Sequence, residues 1–167
     1  SNLKDEISLI KKELQKLKIK PDYKDNLDLN ENYKNLNKQL NKVQIESIKK
    51  DKNKNIIKDK KIGDILIREQ ILKDFPPKEL RGIIDQGKKE IKSGVIISIS
   101  TFEGKVGVAI GVSQDLTTKF DAVTLVKTAS EILGGKGGGG RKDFAQAGGV
   151  DQSKIEQAFE VVRKKLN

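Results

Sequence analysis

A glycine-rich run between residues 134 and 149 is the feature that most restricts how this chain can fold. The run reads GGKGGGGRKDFAQAGG, in which eight glycines surround three cations. Glycine is about 1 kcal/mol less favourable than alanine inside a helix, so no helix continues through such a run. We therefore predict a glycine-rich loop over residues 134–149 that ends one helix and precedes another.

The same run has the composition of an anion-binding segment. Glycines let backbone N–H groups approach an anion closely, and cations between them have open access to phosphate. It is not a Walker A loop, because Gly137 follows Lys136 where that loop needs Ser or Thr. A flexible linker between two helices is the alternative interpretation.

These considerations define a predicted nucleic-acid-binding set. Its members are Lys136, Arg141, Lys142, Gln146, Gly135, Gly137, Gly138, Gly139 and Gly140. The amide of Gln146 either binds a base or ribose edge or braces the glycine loop, and the pattern leaves both roles open. Asp143 is expected to cap the loop or pair with Arg141. Among the aromatic residues, Tyr23, Phe102 and Phe144 are candidates for stacking on exposed bases, whereas Phe75, Phe120 and Phe159 are expected in the core.

Residues 54–167 are predicted to form a globular α/β domain. Apolar periodicity indicates strands over 63–71, 95–100 and 106–112, and helices from Pro77 to about Gly94, over 121–133 and over 152–166. The order strand, helix, two strands, helix, glycine loop, helix is typical of a small α/β sandwich with a mixed sheet. Strand order cannot be derived from these patterns.

Residues 1–53 are predicted to be helical. One apolar stripe falls on Leu3, Ile7, Ile10, Leu14 and Leu17, and a second includes Tyr33, Leu36 and Leu40. Both repeat at spacings of 4 and 3, and Asp28 with Glu31 is typical of a capping box. Neither stripe can stay buried alone, so the segment forms a helical hairpin or a dimerising coiled coil, and these eight residues are the predicted oligomerisation set. A linker is expected over 49–61, with the domain boundary near Asn53.

Composition narrows the function classes. The formal charge of +10 favours nucleic acid and then anionic membrane as partners, although a codon bias towards Lys, Asn and Ile would give the same charge. Since the chain has no Cys and no His, it cannot build a Cys or His zinc site or a histidine-based triad. No apolar run approaches the ~20 residues that span a bilayer. The absence of any Met suggests a fragment of a longer protein.

The run GGKGGGGRKDFAQAGG resembles the C-terminal motif of bacterial alanyl-tRNA synthetases, within the accessory domain that they share with DHH-family phosphoesterases. Two positions depart from the usual string, with Lys142 where Pro is common and Phe144 where Met is common. Both keep a basic or a bulky apolar character. The resemblance covers the globular part, and it extends to the helical segment only in kind.

The resemblance implies a C-terminal region without catalysis or cofactor of its own. Such a region touches the outer corner of L-shaped tRNA, helps the aminoacylation and editing domains share one tRNA, and can mediate homodimerisation. The parent would be a cytoplasmic, ATP-dependent alanine–tRNA ligase, with ATP and magnesium in its catalytic domain, zinc in its editing domain, and no membrane partner. Two alternatives are the nucleic-acid-binding half of a DHH phosphoesterase, disfavoured because those proteins carry a His in the glycine motif, and a purely structural dimerisation module.

Overall fold

The computed structural model describes residues 2–50 and 55–167, and the chain divides into two units, residues 1–50 and 51–167. The predicted boundary near Asn53 lies outside the described residues. Each unit has its own apolar cluster. Among the described residues, no helix combines the length and the apolar character needed to cross a membrane.

The first unit, as described over residues 2–50, contains two helices, α1 (Leu3–Lys16) and α2 (Leu29–Lys50). The side chain of Asn2 accepts a hydrogen bond from the Asp5 N–H, and Asp28 accepts one from the Glu31 N–H, so each helix begins at a capped residue. Its core consists of Ile7, Ile10, Leu14 and Leu36, with Leu3, Ile19, Tyr23, Leu29, Tyr33 and Leu40 packed around them.

The two apolar stripes therefore pack on each other within one chain, which is the hairpin alternative. Leu17 departs from the prediction, because it is the C-cap of α1 and is 50% exposed. Helix α1 ends at Lys16, one residue before Leu17, so Leu17 does not lie on its apolar stripe. Oligomerisation through the predicted set stays a prediction.

Over its described residues, 55–167, the second unit forms a six-stranded sheet with three α-helices. Its elements are β1 (Asn55–Ile62), β2 (Ile65–Lys73), α3 (Leu80–Ile91), β3 (Val95–Phe102), β4 (Lys105–Val112), α4 (Ala122–Ile132), β5 (Gly138–Gly140), β6 (Phe144–Gly149) and α5 (Ile155–Leu166). The strand order is β1-β2-β3-β4-β6-β5, and among these neighbours β2 and β3 are parallel and the other pairs antiparallel. The predicted mixed sheet is confirmed.

Helices cover both faces of this sheet. On one face, α3 packs against β3 and β4, with Ile84 directly above Gly111. The other face carries the larger core, in which Ile97, Val108 and Ile110 pack with apolar residues of α4 and α5. The predicted α/β sandwich is therefore confirmed, with the sheet between two helical layers.

A partly buried ion pair connects α5 to the sheet. Arg163 donates hydrogen bonds of 2.5 and 2.8 Å to the Glu69 carboxylate, which is 5% exposed and also lies 3.2 Å from the Lys60 ammonium. Burial alone would raise the pKa of Glu69, but the hydrogen bonds from Arg163 and Lys60 outweigh it and hold that pKa below its usual value.

Two predictions of irregular structure were wrong. Residues 55–61, assigned to a linker, lie in edge strand β1, whose mostly exposed Lys and Asp side chains give little apolar signal. The predicted loop over 134–149 contains strands β5 and β6. Glycine has low strand propensity, so its pairing here depends on β4, which lies beside β6 only in the folded sheet.

Candidate nucleic-acid interface

Residues 134–149, which we call the glycine hairpin, leave α4 and return to it. Gly134 follows the helix with a φ of 75°, in the left-handed region that favours glycine. The Leu133 carbonyl accepts hydrogen bonds from the N–H groups of Val150 and Asp151, at 2.8 and 3.0 Å. The hairpin is thus closed at its base on the last turn of the helix.

Several of the glycines are required by close packing inside the protein. A Cβ at Gly135 would collide with the Gly148 carbonyl oxygen, and one at Gly138 would collide with that of Gln146. In contrast, a Cβ at Gly139 would meet nothing within 4 Å. Close packing thus requires four of the eight glycines to lack a side chain and leaves others, such as Gly139 at the sheet edge, open.

The turn at residues 141–143, between β5 and β6, is held from several sides. Within the turn, the Arg141 N–H donates to the Phe144 carbonyl at 2.7 Å, and the Ala122 N–H donates to the Lys142 carbonyl at 2.9 Å. The Asp143 carbonyl accepts two hydrogen bonds, one from the Val112 N–H at 2.9 Å and one from the Lys88 ammonium at 2.7 Å. Backbone hydrogen bonds thus connect the turn to β4 and to the start of α4. This anchoring presents the two consecutive cations of the turn from a fixed backbone.

The three predicted cations lie at opposite ends of β5. Lys136 is exposed before the strand, and Arg141 and Lys142 are exposed after it. Lys136 and Arg141 are five residues apart, which is about 15 Å along an extended chain. Because strand β5 stands between Lys136 and Arg141, the arrangement suits a row of phosphates passing along the edge.

The structure shows contacts for the other two polar residues of the run. Gln146 donates a hydrogen bond from Nε2 to the Pro77 carbonyl at 2.7 Å, so the amide braces β6 against the turn before α3. Asp143 lies 3.7 Å from the Arg141 guanidinium, which is the expected pairing. The amide nitrogen of Gln146 therefore donates a hydrogen bond within the protein, which is the bracing role.

Two cations of α3 join this end of the hairpin, and sequence reasoning did not select either. The Arg81 guanidinium carbon lies 4.9 Å from the centroid of the Phe144 ring. Lys88 is partly buried beside Asp143, and burial lowers its pKa against the opposing effect of that carboxylate. They are far from residue 144 in sequence, so no local pattern could have indicated the contact.

The remaining candidate aromatics occupy other places. Tyr23 packs in the core of the helical hairpin with the Lys11 ammonium 3.6 Å from its ring centroid. Phe75 and Phe159 are buried as expected, at 3% and 2% exposure. Among the three stacking candidates, Phe144 is the one that belongs to the glycine hairpin.

Comparison with known proteins gives consistent matches for the second unit. The DHHA1 domain family matches residues 64–167. The alanine–tRNA ligase of Granulibacter bethesdensis is 48% identical over 102 residues, covering 61% of this chain and 12% of that protein. The alanine–tRNA ligase of Hyphomonas neptunium is 55% identical over 89 residues, covering 53% of this chain and 10% of that protein. The chain thus spans about a tenth of the length of these relatives.

Solved structures show the same similarity. The C-Ala domain from Aquifex aeolicus alanyl-tRNA synthetase matches with a TM-score of 0.62 and 30% identity, over 65% of this chain and 97% of that one. The DHH domain of a member of the S1P family of ribosomal proteins matches with a TM-score of 0.53 and 16% identity, over 83% of this chain and 32% of that one. The second match shows a shared fold alone.

Proposed function

The chain belongs to the DHHA1 domain family, and from that premise we propose that it is the C-terminal tRNA-binding region of an alanine–tRNA ligase. In this proposal the region holds tRNA for aminoacylation and editing domains located elsewhere in a longer protein. The observation that carries it is the glycine hairpin, which combines an exposed, side-chain-free strand edge with cations at both ends.

The chemistry of the edge suits a phosphate backbone. Lys136, Arg141 and Lys142 supply charge, while the exposed β5 glycines let an RNA strand come close to the protein backbone. Phosphate contacts of this kind dominate affinity for nucleic acid and weaken with salt. The formal charge of +10 adds long-range attraction for any polyanion. The glycine hairpin would thus position the RNA, and the net charge would speed its arrival.

The proposal specifies tRNA, and within it the outer corner of the L, because of the family resemblance. A row of cations recognises phosphate without reading sequence. Selectivity for folded tRNA would therefore depend on shape, with the cations at the two ends of β5 matching phosphates held in place by the tertiary fold. This distinguishes the proposal from general RNA affinity.

We propose tRNA binding, and not dimerisation, as the function of this region. The stripe predicted to oligomerise is occupied within one chain, since Leu14 and Leu36 are fully buried in the helical hairpin. Pairing two chains through that stripe would require the hairpin to open and lose these contacts.

The test is a fluorescence-anisotropy titration of the full chain with three labelled probes at low and moderate salt. The probes are intact tRNA, an acceptor-stem minihelix that lacks the elbow, and single-stranded DNA. We expect the tightest binding to intact tRNA. The double variant Lys136→Ala/Arg141→Ala should bind tRNA more weakly. The negative slope of log affinity against log salt should also become shallower by about two, because two phosphate contacts are lost.

A matched control removes the same charge elsewhere. Lys164 and Lys165 are exposed residues on α5, next to Arg163, which pairs with β2 in the opposite half of the sheet. The variant Lys164→Ala/Lys165→Ala should keep most of the affinity for tRNA. Equal binding to all three probes, or equal losses in the two double variants, would reduce the interaction to net charge and overturn the proposal.

A further inference from the structure

One face of α3 reaches over to strand β6. Arg81, Ile84 and Lys88 are spaced i, i+3 and i+7 and therefore share a side of the helix. Ile84 lies directly on Gly111, where a Cβ would collide with its Cγ2 atom. Because Gly111 pairs in register with Phe144, the close approach of α3 places the two flanking cations beside β6.

These flanking cations make different contacts. The Lys88 ammonium donates to the Asp143 carbonyl at 2.7 Å, which fixes the turn of the glycine hairpin. The Arg81 guanidinium lies over the Phe144 ring, with its carbon 4.9 Å from the ring centroid. Arg81 is exposed while Phe144 is half-buried, so the arginine lies on the solvent side of the ring.

We propose that the Arg81–Phe144 pair is a stacking site for a nucleobase of the bound RNA, a site that rests on the proposed function and deepens it. A guanidinium is planar and weakly hydrated, and RNA-binding proteins use such planes and aromatic rings to stack unpaired bases. Phe144 holds the Arg81 guanidinium in place through a cation–π contact. The base would occupy the solvent side, directly beside the phosphate-binding cations of the turn.

The local charge favours a base over another phosphate at this position. Arg81 and Arg141 both act electrostatically on Lys88, and so do Asp85 and Asp143. Asp85, four residues after Arg81 on α3, thus lies with Asp143 among these cations and offsets part of the positive charge around Arg81. A neutral base is not repelled by the carboxylates, whereas a phosphate is. The phosphates would be held along the glycine hairpin, by the exposed Arg141 and Lys142 and, at the far end, by Lys136.

The test uses two substitutions that leave the charge unchanged. Arg81→Lys removes the planar group, and Phe144→Leu removes the ring that supports it. Each variant should lower affinity for intact tRNA about tenfold, in line with the loss of one stacked base. The salt dependence should stay that of the unsubstituted chain, because no cation is lost. Lys89→Arg, an exposed charge-preserving change on the same helix, is the matched control and should bind normally.

The outcomes separate this site from the function on which it rests. Wild-type affinity in Arg81→Lys, together with a loss in Lys136→Ala/Arg141→Ala, would overturn the stacking site alone. A third variant, Arg81→Ala, tests whether Arg81 contacts a phosphate. If it makes the salt dependence of tRNA binding shallower by about one in the log–log slope, Arg81 is a phosphate contact and the stacking site is also overturned. Failure of the unsubstituted chain to prefer tRNA would overturn the proposed function. Thermal unfolding of each variant checks the fold. If Phe144→Leu does not fold, the result for Arg81→Lys alone decides the test.

Discussion

The helical hairpin of residues 2–50 and the glycine hairpin of residues 134–149 are built in opposite ways. In the first, apolar side chains fill the space between two helices, and Leu14 and Leu36 are fully buried. In the second, missing side chains let backbone segments touch, as Gly135 does with Gly148. Removing atoms should therefore damage the first hairpin, and adding a single methyl group should damage the second.

The largest effect is expected from truncation in the helical hairpin. Leu14→Ala removes a fully buried side chain and should lower the free energy of unfolding of this unit by about 3 kcal/mol. Leu17→Ala is the control, because this residue is 50% exposed and should change stability by less than about 0.5 kcal/mol. Hydrogen exchange of the amides of α1 and α2 measures both. Similar protection in the two variants would contradict the intramolecular core.

A somewhat smaller effect is expected from adding a methyl group to the glycine hairpin. Gly138→Ala would press a Cβ against the Gln146 carbonyl and should destabilise the second unit by about 2 kcal/mol. Gly139→Ala, one residue away, meets nothing within 4 Å and should be close to neutral. Urea unfolding followed by circular dichroism compares the pair. If both variants were equally stable, the close packing of β5 on β6 would be refuted.

The smallest effect is expected from a polar side chain in the helical hairpin. This hairpin depends on one buried amide as well as on its apolar side chains, which limits the contrast between the two hairpins. Asn32 is fully buried, accepts a hydrogen bond from the Lys24 N–H and donates to the carbonyls of Lys24 and Leu27. Asn32→Ala leaves these backbone groups unpaired and should cost about 1.5 kcal/mol. Exposed Asn30→Ala should cost almost nothing. Equal exchange rates near residues 24–27 in both variants would show that apolar packing alone holds the connection.

Most of the helices could be predicted because their signals are local. The apolar stripes of α1 and α2, the capping residue Asp28 and the break at Pro21 all act within a few residues. The same holds for the turn at Gly104 between β3 and β4, where glycine has a φ of 78°. Strands β1, β5 and β6 were missed. The first two are edge strands of charged residues or of glycines, and β6 consists mostly of Ala and Gly, so none of them carries a strong apolar alternation.

The candidate site divides in the same manner. Lys136, Arg141 and Lys142 could be selected because they stand among glycines in one continuous run. Arg81 and Lys88 could not, because they contact the run only after α3 has packed on Gly111. The bracing role of Gln146 likewise depends on Pro77, which lies 69 positions earlier in the chain.

By itself, the amino-acid sequence determined the helices, the β3–β4 hairpin, the excess of positive charge and the family resemblance of residues 134–149, because propensity, periodicity and motif are properties of neighbouring residues. Only the tertiary structure decided that β6 pairs with β4, that half of the glycines in the run serve close packing, and that an arginine of α3 lies over Phe144. Those features depend on contacts between residues far apart in the chain, and such contacts exist only when the sheet has formed.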